Sequence, residues 1–278
     1  MFRFMTRAAM TCAFTAATAV LATAQTTWTG PYVGATIGAG FQMDDADETV
    51  RFDTNLDGMF TDTVRTIAGA DAFSPGFCGG IANGPTPGAG CVEDEDGLDA
   101  GGRAGYDWQR GMLVVGALVD VSRTDVTDGV SAFSTTPAFY AFSRELKAVG
   151  GLRGRIGVGN QRLLVYGTGG GAWGRIEHLF TTSNGVNTFV PGKDQPRTEN
   201  SWGYQAGGGL EVRLGGRWSL TGEYLFTSLD DGDEGTVRSQ GPAAATNPFI
   251  LVNASGTDLQ RRDRFEFQAV RVGLSYRF

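Results

Sequence analysis

The last ten residues leave this chain few ways to fold. From Ala269 to Phe278 the side chains alternate without a break. Val270, Val272, Leu274, Tyr276 and Phe278 fall on one face, and Ala269, Arg271, Gly273, Ser275 and Arg277 fall on the other. A period of two means a strand with one apolar and one polar side. With two arginines on the polar side and an aromatic chain end, this reads as the closing strand of a transmembrane β-barrel, apolar toward lipid and polar toward its interior.

The opposite end reads as a secretory signal. Arg3 and Arg7 give a positive start, Ala8 to Leu21 is small, apolar and uncharged, and Ala22-Thr23-Ala24 fits the small-x-small cleavage rule. Residues 1–24 are expected to be removed, leaving 25–278 as one barrel domain. Cys12 would leave with the signal, and it lies away from the cleavage edge, so no lipid-anchored cysteine is expected. Without Arg3 and Arg7 the 23 basic residues become 21 against 30 acids, a formal charge of −9, which makes nucleic acid a poor partner. The 43 glycines would weaken a soluble sheet, but in a small barrel they let the wall curve and leave room for large inward side chains. No segment of about twenty apolar residues follows the signal, so any membrane crossing must be made by a closed barrel, which leaves no sheet edge in lipid.

Eight stretches read as strands of an all-β, antiparallel, up-and-down transmembrane barrel. Tyr32 to Phe41 turns Val33, Ala35, Ile37, Ala39 and Phe41 outward; Ala100 to Trp108 turns Ala104, Tyr106 and Trp108 outward. Met112 to Ser122 carries Leu113, Val115, Ala117, Val119 and Val121 out and Asp120 in. The fourth, about Glu145 to Val158, is read with Leu146, Ala148, Leu152, Ile156 and Val158 out and Glu145, Lys147, Arg153 and Arg155 in. The fifth, Leu163 to about Glu177, is read with Leu164, Tyr166, Ala172 and Ile176 out and Trp173, Arg175 and Glu177 in. Trp202 to Leu214 and Trp218 to about Leu229 follow, with Gln205, Glu211, Arg213 and Glu223 inward, and then the terminal strand. Short turns alternate with long links, the asymmetry of tight periplasmic turns and long outer loops, which puts both chain ends in the periplasm. Arg110, Arg162 and Arg217, one on each short turn, are either solvated or in contact with anionic lipid head groups. Outward aromatics, among them Trp108, Trp202, Trp218 and Tyr276, suit the girdles that form at a membrane surface.

Several segments carry a family likeness. Trp28-Thr29-Gly30-Pro31-Tyr32-Val33-Gly34, Leu152-Arg153-Gly154-Arg155-Ile156-Gly157, Val165-Tyr166-Gly167-Thr168-Gly169-Gly170-Gly171-Ala172, Trp218-Ser219-Leu220-Thr221-Gly222-Glu223-Tyr224-Leu225-Phe226 and the terminal strand resemble, in that order, the porin-like outer-membrane immunogenic protein family. The resemblance covers all eight strands and not the loops. It implies an eight-stranded outer-membrane barrel related to the OmpA-type barrel, with no catalytic residues to carry over. The chain departs from that pattern in its long first loop, about 43–98, and no peptidoglycan-binding domain is expected after Phe278.

Eight strands enclose a space just wide enough for side chains. The inward set Arg103, Asp107, Asp120, Arg153, Arg155, Arg175, Glu177, Glu211, Arg213, Glu223 and Arg271 is therefore expected to pair into an ionic network, because an isolated buried charge costs too much. The alternative is a narrow channel for small solutes or ions lined by the arginines. The first loop holds twelve acids against Arg51 and Arg65. Within it Asp53, Asn55, Asp57 and Asp62 resemble the start of a calcium loop, but Val64 stands where a bidentate Glu belongs. Calcium is thus the one cofactor to weigh, against a solvated acidic loop. Cys78 and Cys91 are expected to form a disulfide that closes this loop. The single histidine, His178, has no triad geometry around it, so no enzyme is expected. The expected role is structural and at the surface, contributing to envelope integrity, with membrane lipids and lipopolysaccharide as neighbours. Barrel-assembly machinery is expected to engage the strand that ends on Phe278. A soluble carrier would need an apolar interior, the reverse of this pattern.

Overall fold

The computed structural model describes residues 28–42, 48–231, 235–261 and 264–278. The signal segment with Cys12, and Asp44, Asp45 and Asp47 of the first loop, lie outside the described residues. Eight long strands form the wall: β1 (Gly30–Gln42), β2 (Gly97–Arg110), β3 (Leu113–Arg123), β4 (Ala138–Gly159), β5 (Leu163–Thr182), β6 (Arg197–Gly215), β7 (Trp218–Asp230) and β8 (Phe265–Arg277). Each pairs antiparallel with the next. β8 returns to β1, with Arg277 opposite Tyr32 and Gln268 opposite Phe41. The sheet is a closed cylinder, so its backbone groups are satisfied without water.

Short turns join β2 to β3, β4 to β5 and β6 to β7 at one end, called here the base. Gly111 and Gly216 take φ of +63° and +55° there, the left-handed region that glycine enters without a Cβ clash. In the β4–β5 turn the side-chain oxygen of Asn160 accepts from the N–H groups of Arg162 and Leu163 at 2.8 and 2.9 Å. The outer wall is apolar on every side. Ile37 is 57 % exposed, Val119 52 %, Leu152 65 %, Leu210 52 % and Val272 51 %. The outward row of β3 from Leu113 to Val121 spans roughly 20 Å along a tilted wall, close to the height of a lipid-facing band.

Two parts of the sequence reading are corrected. In β5, Leu164, Tyr166, Ala172 and Ile176 point inward and are at most 4 % exposed, while Leu163 and Val165 face out at 38 % and 50 %. Val165 sits opposite outward Val158, so the register set by the turn decides the face. In β4, the ladder to β5 skips Lys147: Arg175 pairs with Ala148 and Ile176 with Leu146. This β-bulge reverses the side-chain faces on passing it. Arg153 and Arg155 therefore point inward, as does Leu146 beyond the bulge, fully buried. Glu145 and Lys147 move to the outer wall, with Lys147 Nζ 2.6 Å from Glu145 and 3.3 Å from Glu177. Arg175 is exposed beside them. Arg175 and Glu177 lie on the same outward row of β5 as Leu163 and Val165 and are absent from the lumen.

The long connections, whose shape the sequence left open, build a cap over the other end. β4, β5 and β6 run past the apolar band. A strand at Thr127–Ser134 pairs with the start of β4, and Gly76–Gly79 adds to its edge. A second sheet joins Thr188–Val190, Val237–Gln240, Thr257–Arg261 and Val50–Asp53. Together they bury an apolar core of their own that includes Phe52, Phe73, Tyr140, Phe180, Phe189 and Phe249. The Phe73 ring lies 4.4 Å from Phe52 and 5.3 Å from Tyr140. Cys78 and Cys91 are joined by a disulfide, with Cα atoms 6.6 Å apart.

Replacing Leu152 by Arg is expected to lower unfolding free energy in lipid vesicles by about 2–4 kcal/mol, the cost of a cation near the middle of the bilayer. Val252→Arg, on an exposed cap loop, should change it by less than ~0.5 kcal/mol. Equal effects in urea titrations would contradict a lipid-facing wall.

Candidate functional site

The interior is stacked in layers from base to cap. Trp28 closes the base, fully buried against Val114, Leu164 and Tyr166. Its indole N–H donates to the carbonyl of Asn160 at 2.8 Å and its backbone N–H to Gln109 at 3.0 Å. The Arg277 and Arg213 guanidinium groups lie 5.6 and 5.8 Å from its ring. Arg213, expected in the ionic network, sits half-buried at this rim and donates to the Gly216 carbonyl at 2.8 Å.

Above Trp28 lies the ionic layer. Arg155 is forked between Asp107 and Glu211, with Nε donating to Asp107 at 2.7 Å and Nη1 to Glu211 at 2.9 Å. Arg277 donates to the same Asp107 at 2.8 Å, and Ser219 donates to Glu211 at 2.6 Å. Arg153 bridges Asp120 and Glu223 at 3.0 and 3.1 Å. Glu223 also accepts from the Tyr166 hydroxyl at 2.8 Å, and Arg103 lies 4.0 Å away. Arg271 joins Asp120 to Asp99 at 3.1 and 2.7 Å. Five arginines thus meet five carboxylates, and no charged side chain in the set is more than 6 % exposed. Balanced pairing with additional hydroxyl donors is what makes buried charge tolerable. Arg155 also stacks on Tyr32 and Tyr166, 4.7 and 5.1 Å from their centroids.

Inward glycines make the room. A Cβ on Gly116 would stand 2.0 Å from an Asp107 oxygen and 2.7 Å from the Tyr106 carbonyl. Of the residues the sequence nominated, the structure brings together Arg103, Asp107, Asp120, Arg153, Arg155, Glu211, Glu223 and Arg271. The reading did not nominate Asp99 or Arg277. Arg277 was signalled by its place on the polar face of the terminal alternation, and Asp99 by sharing parity with Arg103.

Over the ions sits an apolar layer of Leu146, Val149, Ile176, Leu229, Phe265 and Phe267 with their small neighbours. Next comes a second ionic cluster, whose members share no sequence periodicity. Arg144 binds Asp128 at 2.5 Å and Asp231 at 3.1 Å. Arg261 binds Asp128 at 2.6 Å and also pairs with Glu48. His178 Nε2 lies 3.2 Å from Asp231, and Ser201 donates to Asp231 at 3.0 Å. This cluster clasps three of the long connections to β4 and β5. Burial pushes the Glu48 carboxyl from 4.5 up to about 8, against the pull of Arg261. Burial acts the same way on Asp128, but the Arg144 and Arg261 charges outweigh it and hold that carboxyl below its usual range. Asp231 is likewise buried, and His178 and Arg144 hold it low.

The nominated calcium residues form a tight loop. Asp53 accepts from the N–H groups of Leu56, Asp57 and Gly58 at 2.6, 3.2 and 2.7 Å. The Asn55 amide donates to the Asp57 carboxylate and accepts from the Asp57 N–H, Asp57 accepts from the Met59 N–H, and Asp62 accepts from Thr54 N and Oγ1, both at 2.8 Å. Among the described residues, the acids whose oxygens converge are Glu48, Asp94 and Asp128, within 4.8 Å of one another. Arg261 bonds two of these three.

A family model described as the outer membrane protein beta-barrel domain matches residues 10–278. The 31 kDa outer-membrane immunogenic proteins of Brucella melitensis biotype 1 and Brucella suis biovar 1 are each 26 % identical over 254 residues, covering 90 % of this chain and 84 % of theirs. Among solved structures, Ail, the attachment invasion locus protein of Yersinia pestis, aligns over 90 % of this chain and 99 % of its own at 14 % identity and a TM-score of 0.32. The outer membrane protease OmpT of Escherichia coli aligns over 92 % and 99 % at 9 % identity and a TM-score of 0.34.

Gly116→Ala is expected to destabilise the barrel by about 1–3 kcal/mol through overpacking. Gly171→Ala, on the exposed face with nothing within 4 Å, should be neutral or stabilise by up to ~1 kcal/mol. Equal urea midpoints for the two variants would contradict a tightly filled lumen. The clasp sets a pH dependence. The depressed Asp128 and Asp231 contribute stability that is present above their ordinary range near pH 4 and lost as pH falls through their folded values. The raised Glu48 contributes stability that is complete below about pH 4.5 and lost as pH rises through about 8. Amide protection of the cap strands, corrected for intrinsic exchange, should peak near pH 4–5 and decline on both sides. A profile rising steadily to pH 8 would contradict these assignments.

Proposed function

The chain belongs to the outer membrane protein beta-barrel family, and from that premise we propose that it is a closed structural barrel whose cap meets the surroundings of the cell. The observation that carries this reading is the filled lumen. Asp99, Asp107 and Glu211 are fully buried, and Arg153, Arg155 and Arg271 are at most 3 % exposed, so no water-filled path runs beside them. Such an interior serves stability rather than passage.

The contribution to the envelope is a rigid wall in the outer membrane with a folded platform above it. In this reading the short turns and both ends of the barrel face the periplasm, as the turn asymmetry of such barrels favours. Membrane lipids and lipopolysaccharide are the neighbours of the apolar wall. Barrel-assembly machinery engages β8, whose end presents Tyr276 against Phe278 with rings 5.3 Å apart. His178 serves the clasp and has no catalytic role.

Two measurements test this. Refolded full-length protein in planar bilayers should show no discrete conductance steps. Steps that change sign of selectivity on Glu223→Gln or Arg153→Gln substitution would establish the narrow channel instead. The only lysines, Lys147 and Lys193, both lie toward the cap, and Lys193 is exposed. A membrane-impermeant amine reagent should label Lys193 on intact cells. Labelling only after the outer membrane is broken would reverse the orientation.

A further inference from the structure

The tips of all four long connections meet around an open pocket of about 200 Å³. Phe73 comes from the first, Ser134 and Thr135 from the second, Ser183 to Asn187 from the third, and Asn247 to Phe249 from the fourth. No charged side chain lines it among the described residues, although twelve acids stand in the first connection alone. An uncharged concavity on an acidic cap offers an anion no counter-charge and a repulsive field around it.

The pocket is set before any ligand arrives. Asn184 donates to the Tyr140 hydroxyl at 2.9 Å and to Asn187 at 3.1 Å. Asn247 donates to Asn187 at 3.1 Å, and Asn187 donates to the Gln240 carbonyl at 3.1 Å. These amides lock the third connection to the start of β4 and to the fourth connection, so little ordering cost falls on binding. Beneath them the Tyr140, Phe73 and Phe249 rings pack edge to face at 5.3 to 5.9 Å. These rings are at most 5 % exposed and belong to the cap core, so the accessible apolar lining is that of Pro137 and Val186. Thr135, Thr136 and Ser183 are exposed. Ser183 Oγ accepts from the Phe139 N–H at 3.1 Å, which leaves its own O–H to donate.

We propose that this pocket binds one uncharged pyranose ring of a surface glycan. The volume lies below the range of about 300–1,000 Å³ that suits larger ligands, so a single ring is the fit. A ring with apolar C–H faces and hydroxyls on its edge matches a lining in which exposed Pro137 and Val186 stand beside the hydroxyls of Thr135, Thr136 and Ser183. An anionic sugar would lose its water without gaining a counter-charge. Biological use of the site rests on the cap facing outward, as proposed above, whereas binding itself is independent of orientation.

The test uses full-length protein refolded in an amine-oxide detergent, because sugar-headed detergents would compete. Its fold is verified in the same sample by the heat-dependent gel shift. Calorimetry with methyl glucoside, methyl galactoside and N-acetylglucosamine should give a millimolar Kd for at least one, with glucuronate at least tenfold weaker. Thr135→Val combined with Ser183→Ala should weaken binding about tenfold, equivalent to ~1.4 kcal/mol. Gly185→Trp should block it, since Gly185 lines the opening and a Cβ there meets nothing within 4 Å. Folded protein that takes up no neutral sugar at about 50 mM overturns the proposal. So does glucuronate binding equally well, or affinity unchanged in both variants. Uptake of benzyl alcohol in place of the sugars would make the site one for small apolar rings and also overturns it. Surface labelling of Lys193 reports orientation separately, so a misplaced cap and an empty pocket give different results.

Discussion

A backbone that crosses lipid must hydrogen-bond to itself along its whole length, and a sheet does so only by closing. The pairing of β8 with β1 is that closure, and most other features follow from it. Eight strands make a narrow cylinder. A narrow cylinder with a polar lining traps its ions away from water, and trapped ions must be matched one to one. Large matched side chains then need glycines opposite them. The arrangement of Gly116 against Asp107 is thus a consequence of strand number, several steps removed.

The wall was legible because lipid outside and ions inside impose contrast on alternate residues. β3 and β8 show it without ambiguity. β5 did not, because its two rows begin Leu163–Val165 and Leu164–Tyr166 and both are apolar. Only the length of the preceding turn settles which row faces lipid, and a shift of one residue exchanges them. Arg175 and Glu177 were misplaced for a related reason. They stand on the same odd-numbered row of β5 as Leu163 and Val165, so the one misjudged register misplaces them too. The bulge at Lys147 misleads separately in β4, where it turns Glu145 and Lys147 outward and Leu146 inward. Bulges leave no periodic trace when the residues around them are polar on both sides.

The cap was least legible. Its strands are short, its core draws on segments far apart in sequence, and its ion pairs join Glu48 to Arg261 and Arg144 to Asp231. No local spacing encodes such partners. One signal was present: Phe52, Phe73, Phe189 and Phe249 lie in connections, and aromatic residues in nominally solvated links need somewhere to be buried. The cap therefore folds as a second small core, anchored to the wall by the clasp around Asp128.

The equal count of arginines and carboxylates inside the wall has an electrical corollary. The charges of the five-by-five ionic layer cancel, so the surplus of nine negative charges left without residues 1–24 lies outside that layer. A voltage across the membrane does no net work on the layer. Ionic strength acts on the molecule through its exposed platform, whose acids repel one another across long distances in dilute buffer but only within a Debye length of about 10 Å at 0.1 M salt. The embedded half keeps the same internal field in fresh water and in brine.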